Sequence, residues 1–255
     1  MSNEPLAGKV ALVTGSYRNL GPVTAETLAH YGASVIINDL DKPEFRPKAD
    51  EVLQKIRAHG VQAADIPADL NVNSEARRLC RQALETFGRV DIVVNNAGPF
   101  NMDPYVQLKE ETWDLIMNVN LKAIYLTTQE LAPGMKANGW GRIVNMCAGS
   151  AYVRNHNIYT LAKMGVMVLT ESLAIELGPE ITVNAIAPGQ IVESLPDIHE
   201  FDPTFGERYA ARAPGKRLVS RAQLADVIAH LCLPVFDGMT GMTLRYDYGA
   251  EIPKF

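Results

Sequence analysis

The stretch from Val10 to Gly21, VALVTGSYRNLG, decides how the chain is read. An apolar run leads into Thr14-Gly15, and the segment closes on Gly21 at the head of a helical pattern, GPVTAETLAHYG. A strand, a tight turn and a helix start together make an anion site, because unpaired backbone N–H groups and the helix dipole point at the same place. Gly15 allows the tight turn, and Gly21 lets the helix pack close to the sheet. Gly15, Arg18, Asn19, Leu20 and Gly21 are therefore the candidate cradle for a dinucleotide. Asn19 stands where such loops usually carry a third glycine. Asparagine visits left-handed backbone more readily than most residues, and its side-chain oxygen can cap a helix start. Either property lets the loop survive the exchange.

Working outward, SVIIND reads as the next strand and ends on Asp39, where a carboxylate would accept hydrogen bonds from an adenosine ribose. A charged helix through KADEVLQKIRAHG follows, then a strand and loop in VQAADIPADL, a helix in SEARRLCRQALETFG and a strand in RVDIVVNNAG. A long helix from about Glu111 to Asn138, the strand GRIVNM, a helix around Tyr159 to Leu177 and the strand ITVNAIAPG complete the series. Repeated β-α-β with continuous Val/Ile runs predicts a parallel sheet buried on both faces, doubly wound by helices. No linker or repeat interrupts it, so residues 1–255 are read as one α/β domain. The segment around 190–213 breaks the alternation with prolines, aromatics and charges, and is read as a substrate loop.

Composition narrows the class. Hydrophobic residues make up 47% of the 255 and charged residues 21%, the balance of a globular chain. The net charge is -5 and no basic run is present, which argues against a nucleic-acid partner. Cys80, Cys147 and Cys232 lie far apart with no CxxC, as suits a reducing compartment. The polar start MSNEPLAGKV is unlike a targeting peptide, and no apolar run reaches the roughly 20 residues of a membrane span. A cytoplasmic protein with no membrane partner is expected. None of the five histidines sits in an HExxH or a Cys/His cluster, so no metal site is predicted.

The segment YTLAK puts Tyr159 and Lys163 at i and i+4, on one helix face. A free tyrosine titrates near 10 and is a poor acid or base at neutral pH, but a neighbouring ammonium favours the phenolate. Such a pair suits proton transfer to or from an alcohol oxygen. YVQLK gives Tyr105 and Lys109 the same spacing, but beside Pro104, and is read as structural. Only Tyr159 follows GRIVNM and precedes NAIAPG.

With these residues in view, the chain resembles the short-chain dehydrogenase/reductases from about Gly8 to Gly249. The resemblance rests on TGSYRNLG, Asp69-Leu70, NNAG at Asn95 to Gly98, NVNL with Asn120, YTLAK, and Pro188-Gly189, in that order. It implies a Rossmann-type fold, NAD(P), hydride transfer between the cofactor and a secondary alcohol or ketone, and a homotetramer or dimer. It implies that Tyr159 is the general acid/base, that Lys163 holds the nicotinamide ribose and shifts the tyrosine, and that Asn120 fixes a water for proton relay. Asp69 and Leu70 would flank the adenine. Asn96, Ala97 and Gly98 would line the cleft, and Pro188, Gly189 and Ile191 would meet the nicotinamide end. Asn95 is expected to brace the central strands.

The pattern breaks at the family's catalytic serine. Counting forward from GRIVNM gives Ala148, while counting back from Tyr159 gives Met146. Cys147 and Ser150 are the nearby polar residues, and Ser150, with a hydroxyl donor, is the candidate. After Pro188-Gly189 a threonine is replaced by Glu193, which is expected to turn outward, and the usual C-terminal DGG reads DYG. The chain is also similar to pteridine reductases, NADPH enzymes with an acidic residue where Ala148 stands. Asp39 favours NAD by repelling a 2′-phosphate, whereas Arg18 could pair with one, so NADP stays open. The Ala148 and Asn19 departures leave open a second alternative, an NAD-binding protein with weak or lost catalysis. Phe100, Met102, Tyr152, His156 and the segment 191–212 are expected to wall the pocket of an uncharged ketone or alcohol.

Overall fold

The computed structural model of the chain describes residues 4–252. Seven parallel strands make one sheet: β1 (Val10–Thr14), β2 (Ser34–Asn38), β3 (Ala63–Asp65), β4 (Ile92–Asn95), β5 (Gly141–Met146), β6 (Ile181–Pro188) and β7 (Thr243–Tyr246). Their order is β3-β2-β1-β4-β5-β6-β7. The strand order reverses between β1 and β4, and in open α/β sheets ligands bind in the crevice at the carboxyl ends of the strands there. The doubly wound, Rossmann-type reading holds.

Helices α1 (Leu20–His30), α2 (Arg46–Ala58), α3 (Asn73–Phe87), α4 (Glu110–Met117), α5 (Ala123–Ala137), α6 (Ser150–Val153), α7 (Ile158–Leu177), α8 (Leu195–His199), α9 (Phe205–Arg212) and α10 (Arg221–Leu231) cover both faces. Successive strand residues point to opposite faces. Val10 and Leu12 join the core under α3, α5 and α7, while Ala11 and Val13 join the one under α1, α2 and α10. This two-sided burial is why the central strands read as unbroken apolar runs.

The helix expected from about Glu111 to Asn138 is α4 and α5 joined by a π turn over Asn118–Lys122. The segment around 190–213, which breaks the β-α alternation, carries the short helices α8 and α9. Helix α10 and strand β7 lie outside the elements expected from the sequence, because α10 has a weakly sided pattern and β7 is a half-buried edge strand. Helix α7 is long and apolar enough to cross a membrane by length and composition, yet Ile158, Ala162, Val166, Leu173 and Leu177 are packed inside the fold.

Candidate active site

The glycine loop is shaped by contacts that leave no room for side chains. Gly15 has φ +64, and a Cβ there would lie 2.9 Å from Ala97 Cα. A Cβ on Gly21 would lie 2.1 Å from the Gly15 carbonyl oxygen, so that residue must be glycine for the turn to close on α1. Asn96 fastens the loop to β4: its Nδ2 donates to the carbonyls of Thr14 at 2.9 Å and Gly15 at 3.0 Å. Tyr17 donates its hydroxyl to Asp65 on β3, whose carboxylate also pairs with Arg46 at 2.9 Å.

Asn19 has φ 59 and ψ -125, so its backbone is indeed positive in φ but outside the left-handed helical well. It makes no side-chain capping bond. Its Oδ1 instead accepts from Arg221 Nη2 at 3.1 Å. The capping reading is therefore replaced by an inter-segment contact that local sequence could not reveal.

A cleft of about 510 Å³ opens beyond this loop. Gly15, Arg18, Asn19, Leu20, Asp39, Asp69, Leu70, Asn96, Ala97 and Gly98 line it, together with Phe100. Gly21 lies beneath the loop, outside the lining. Asp39 is 8% exposed and its Oδ1 accepts from the Leu40 N–H at 2.9 Å. Arg18 lies over the Phe45 ring, 5.1 Å from its centroid.

Tyr159, Lys163 and Asn120, the residues expected to handle the proton, lie against Phe100 and Gly98 at the border of this lining. Asn157 caps α7 by accepting from the Thr160 N–H at 2.8 Å, which fixes the first turn that presents Tyr159. The Tyr159 ring packs edge-on to Phe100, with centroids 4.9 Å apart. Lys163 Nζ is 5.5 Å from the Tyr159 ring centroid and donates to the Met146 carbonyl at 2.6 Å. Asn120 lies in the π turn, where the widened helix lets its Nδ2 donate to the carbonyls of Pro99 at 2.9 Å and Ile116 at 3.0 Å. Its Oδ1 is buried without a hydrogen-bond partner among the described residues. The site a Cβ would take on Gly98 lies 2.4 Å from Asn120 Oδ1 and 3.3 Å from Lys163 Nζ, so the three residues adjoin.

Burial dominates the electrostatics. It pushes Lys163 down to about 8 from its ordinary 10.5, and pushes Tyr159 above its ordinary value, with Cys147 adding to the rise. The ammonium therefore does not bring the phenol toward neutrality in the protein by itself, contrary to the simple pair argument.

Around the expected serine, Cys147 is 2% exposed and its thiol donates to the Lys163 carbonyl at 3.2 Å. The thiol is turned under α7. Ser150 Oγ is buried and has no hydrogen-bond partner among the described residues. Gly149 N–H donates to the Pro188 carbonyl at 2.9 Å, which holds the loop carrying Ala148 and Ser150 against the Pro188-Gly189 turn. A Cβ on Gly189 would lie 2.7 Å from Asp247 Cβ. Ile191 forms an isolated bridge with Val219.

Asn95 Nδ2 donates to Asn145 Oδ1 at 2.8 Å while its own Oδ1 accepts from Thr127 at 3.0 Å, bracing β4, β5 and α5. Glu193 does not turn into solvent alone; its carboxylate accepts from the Arg221 N–H at 3.1 and 3.2 Å. Tyr152 gives its hydroxyl to the Thr243 carbonyl at 2.7 Å, tying α6 to β7. In DYG, Tyr248 sits at φ 54, where a glycine would be unstrained, and its hydroxyl accepts from Gln223 Nε2 at 2.8 Å.

The cleft fits a nicotinamide dinucleotide by its own features: a glycine floor that a Cβ would fill, a buried carboxylate at the end of β2, and the orphaned Asn120 oxygen beside a buried lysine. A doubly wound sheet with such a cleft and a tyrosine–lysine pair at its end defines a dinucleotide-dependent oxidoreductase. The sequence profile described as Enoyl-(Acyl carrier protein) reductase matches residues 15–251. The chain is 37% identical over 251 residues to the (2S)-[(R)-hydroxy(phenyl)methyl]succinyl-CoA dehydrogenase subunit BbsD of Thauera aromatica, covering 97% of this chain and 98% of that one. It is 32% identical to 3-oxoacyl-[acyl-carrier-protein] reductase FabG of Staphylococcus epidermidis, covering 94% and 98%. A blue fluorescent protein from a metagenomic library, solved in complex with NADPH, superposes with a TM-score of 0.85 at 29% identity, covering 98% and 99%. The chain belongs to the short-chain dehydrogenase/reductase family.

Proposed function

We propose that the protein transfers a hydride between NAD and a secondary alcohol or ketone, with Tyr159 exchanging the proton at the substrate oxygen. The observation that carries this is the meeting of Tyr159, Lys163 and Asn120 at the end of the cleft lined by Gly98 and Phe100. The cofactor supplies or accepts the hydride when bound. Gly15, Arg18, Asn19, Leu20 and Gly21 form the loop under its phosphates, Asp39 accepts from the adenosine ribose, and Asp69 and Leu70 flank the adenine. Asn96, Ala97 and Gly98 border its middle, and Pro188, Gly189 and Ile191 border the nicotinamide end.

Lys163, held by the Met146 carbonyl, keeps two donor positions for the ribose and for a water. Asn120 Oδ1 is the acceptor that would fix that water, since burying it without a partner costs about 1–3 kcal/mol. Protons then pass from Tyr159 through Lys163 and the water to solvent. Ser150, whose hydroxyl is idle, is the proposed donor to the substrate oxygen. The preference for NAD rests on the buried Asp39 and on Arg18 lying over Phe45. Exposed Phe100 and Met102 favour an uncharged, partly apolar substrate.

The outward face of α7 carries Leu161, Met164, Val168 and Ile175, the last two 63% and 86% exposed, with Tyr125 on α5 nearby in kind. This supports a homo-oligomer, a dimer or tetramer, which sedimentation tests directly. Three buried free thiols support the cytoplasmic reading.

The deciding experiment is oxidation of NADH and NADPH against ketones, diketones and pterins, with Tyr159→Phe as control. Turnover that vanishes in the variant supports the oxidoreductase, and a strong NADPH preference with pterins would replace it by the pteridine reading. Ala148 and the buried Cys147 thiol favour one other outcome: cofactor binding without turnover on any carbonyl.

A further inference from the structure

Arg221 opens α10 and touches two segments remote from it in sequence. Its backbone N–H donates to the Glu193 carboxylate, as described above. Its Nη2 donates to Asn19 Oδ1 at 3.1 Å, to the Glu193 carbonyl at 3.3 Å and, at the limit of a hydrogen bond, to Ser194 Oγ at 3.5 Å. One guanidinium thus spans from the glycine loop to the first turn after β6.

The Glu193 carboxylate is taken up by the Arg221 backbone N–H and not by its guanidinium. Among the described residues no ion pair includes the Arg221 guanidinium; it rests on neutral oxygens only. Its Nε is buried and has no partner. A guanidinium has five donors in a rigid fork and gains most from an anion that takes two of them at once. Asn19, the residue that departs from the glycine pattern, supplies the oxygen that holds this fork beside the loop. Glycine could form the same positive-φ backbone, but could not hold the arginine.

We propose that Arg221 is a cofactor-binding residue contributed by α10, a clamp for the pyrophosphate of the dinucleotide, held in place by Asn19. Through the Glu193 carbonyl and Ser194 it also joins the occupied loop to the segment that leads into α8. The proposal rests on the reading that the cleft takes a dinucleotide.

Calorimetric titration tests it, with ADP-ribose, which carries the pyrophosphate but no nicotinamide, and with adenosine, which carries neither. The proteins are the wild type, Arg221→Ala, Arg221→Lys and Asn19→Ala, each with its unliganded melting temperature. Arg221→Ala should weaken ADP-ribose about tenfold or more and leave adenosine within about twofold. Arg221→Lys, which keeps the charge without the fork, should fall between. Asn19→Ala, which frees the guanidinium, should weaken ADP-ribose while retaining its salt dependence. ADP-ribose binding within twofold of wild type in both Arg221 variants would overturn the proposal. So would parallel losses for adenosine, which would make Arg221 a scaffold residue. A wild type that binds no ADP-ribose would sink the dinucleotide reading itself, and this inference with it. If Arg221→Ala does not fold, the Arg221→Lys and Asn19→Ala titrations decide on the same criteria.

Discussion

Lys163 donates its ammonium to the Met146 carbonyl at 2.6 Å, while the neighbouring Cys147 donates its thiol back to the Lys163 carbonyl at 3.2 Å. This reciprocal stitch joins α7 to the end of β5. It takes the lysine's first donor and fixes the direction of the other two. It also explains why Cys147, although near the expected serine in sequence, is turned away from any substrate.

The buried lysine gives a pH signature. With Lys163 held down to about 8 against its ordinary 10.5, the folded protein binds fewer protons than the unfolded chain across that window. Unfolding therefore becomes harder as pH rises from about 8 toward 10, by a contribution on the order of 2 kcal/mol from this group. Above 10, Tyr159, which burial holds up, acts in the opposite direction. Urea denaturation of the unliganded protein at pH 8 and pH 10, compared with Lys163→Met, measures the difference. An identical pH slope in the variant would contradict the assignment.

Tyr159→Phe keeps the ring that packs against Phe100 and removes only the hydroxyl. Turnover should fall by about 10²–10⁴, the usual worth of a general acid/base, with NADH affinity nearly unchanged. Retained turnover would remove Tyr159 from the mechanism.

Ser150→Ala should lower kcat by about 10²–10³ if its idle hydroxyl is the donor to the substrate oxygen. The companion is Ala148→Ser, which restores a hydroxyl at the position counted forward from β5. Unchanged kcat in the first, with a gain in the second, would move the role to position 148.

The two exchanges in the glycine loop should behave oppositely. Gly21→Ala would drive a methyl to 2.1 Å from the Gly15 oxygen, so the turn must open; loss of folding or of dinucleotide binding is expected, by more than 2 kcal/mol. Asn19→Gly keeps the positive-φ backbone and should leave NADH affinity within about tenfold, or 1.4 kcal/mol. Differential scanning fluorimetry with and without NADH separates the two.

What the sequence disclosed follows the range of the forces involved. The strands β1, β2, β4, β5 and β6 were legible because burial on both faces leaves a continuous apolar run, and α7 because Tyr159 and Lys163 fall one turn apart. The tight turn at Gly15 and Gly21 was legible because the demand for glycine is local. What escaped depends on segments distant in the chain: Asn19 with Arg221, Tyr17 with Asp65, and Tyr152 with Thr243. The upward shift of Tyr159 escaped as well, since burial is a property of the whole fold and outweighs the adjacent ammonium.

The π turn at Asn118–Lys122 makes the Asn120 oxygen, the proposed relay group, depend on chain length as well as on chemistry. An α-helix advances about 100° per residue, so removing one residue from this turn would leave an ordinary continuous helix with one half rotated against the other. Either Asn120 would swing off Pro99 and Gly98, or α5 would present the wrong face to the sheet. Composition and charge would barely change, and no side chain of the proposed proton path would be lost. The site is therefore exposed to single-codon deletions, a kind of change that substitution scans never sample.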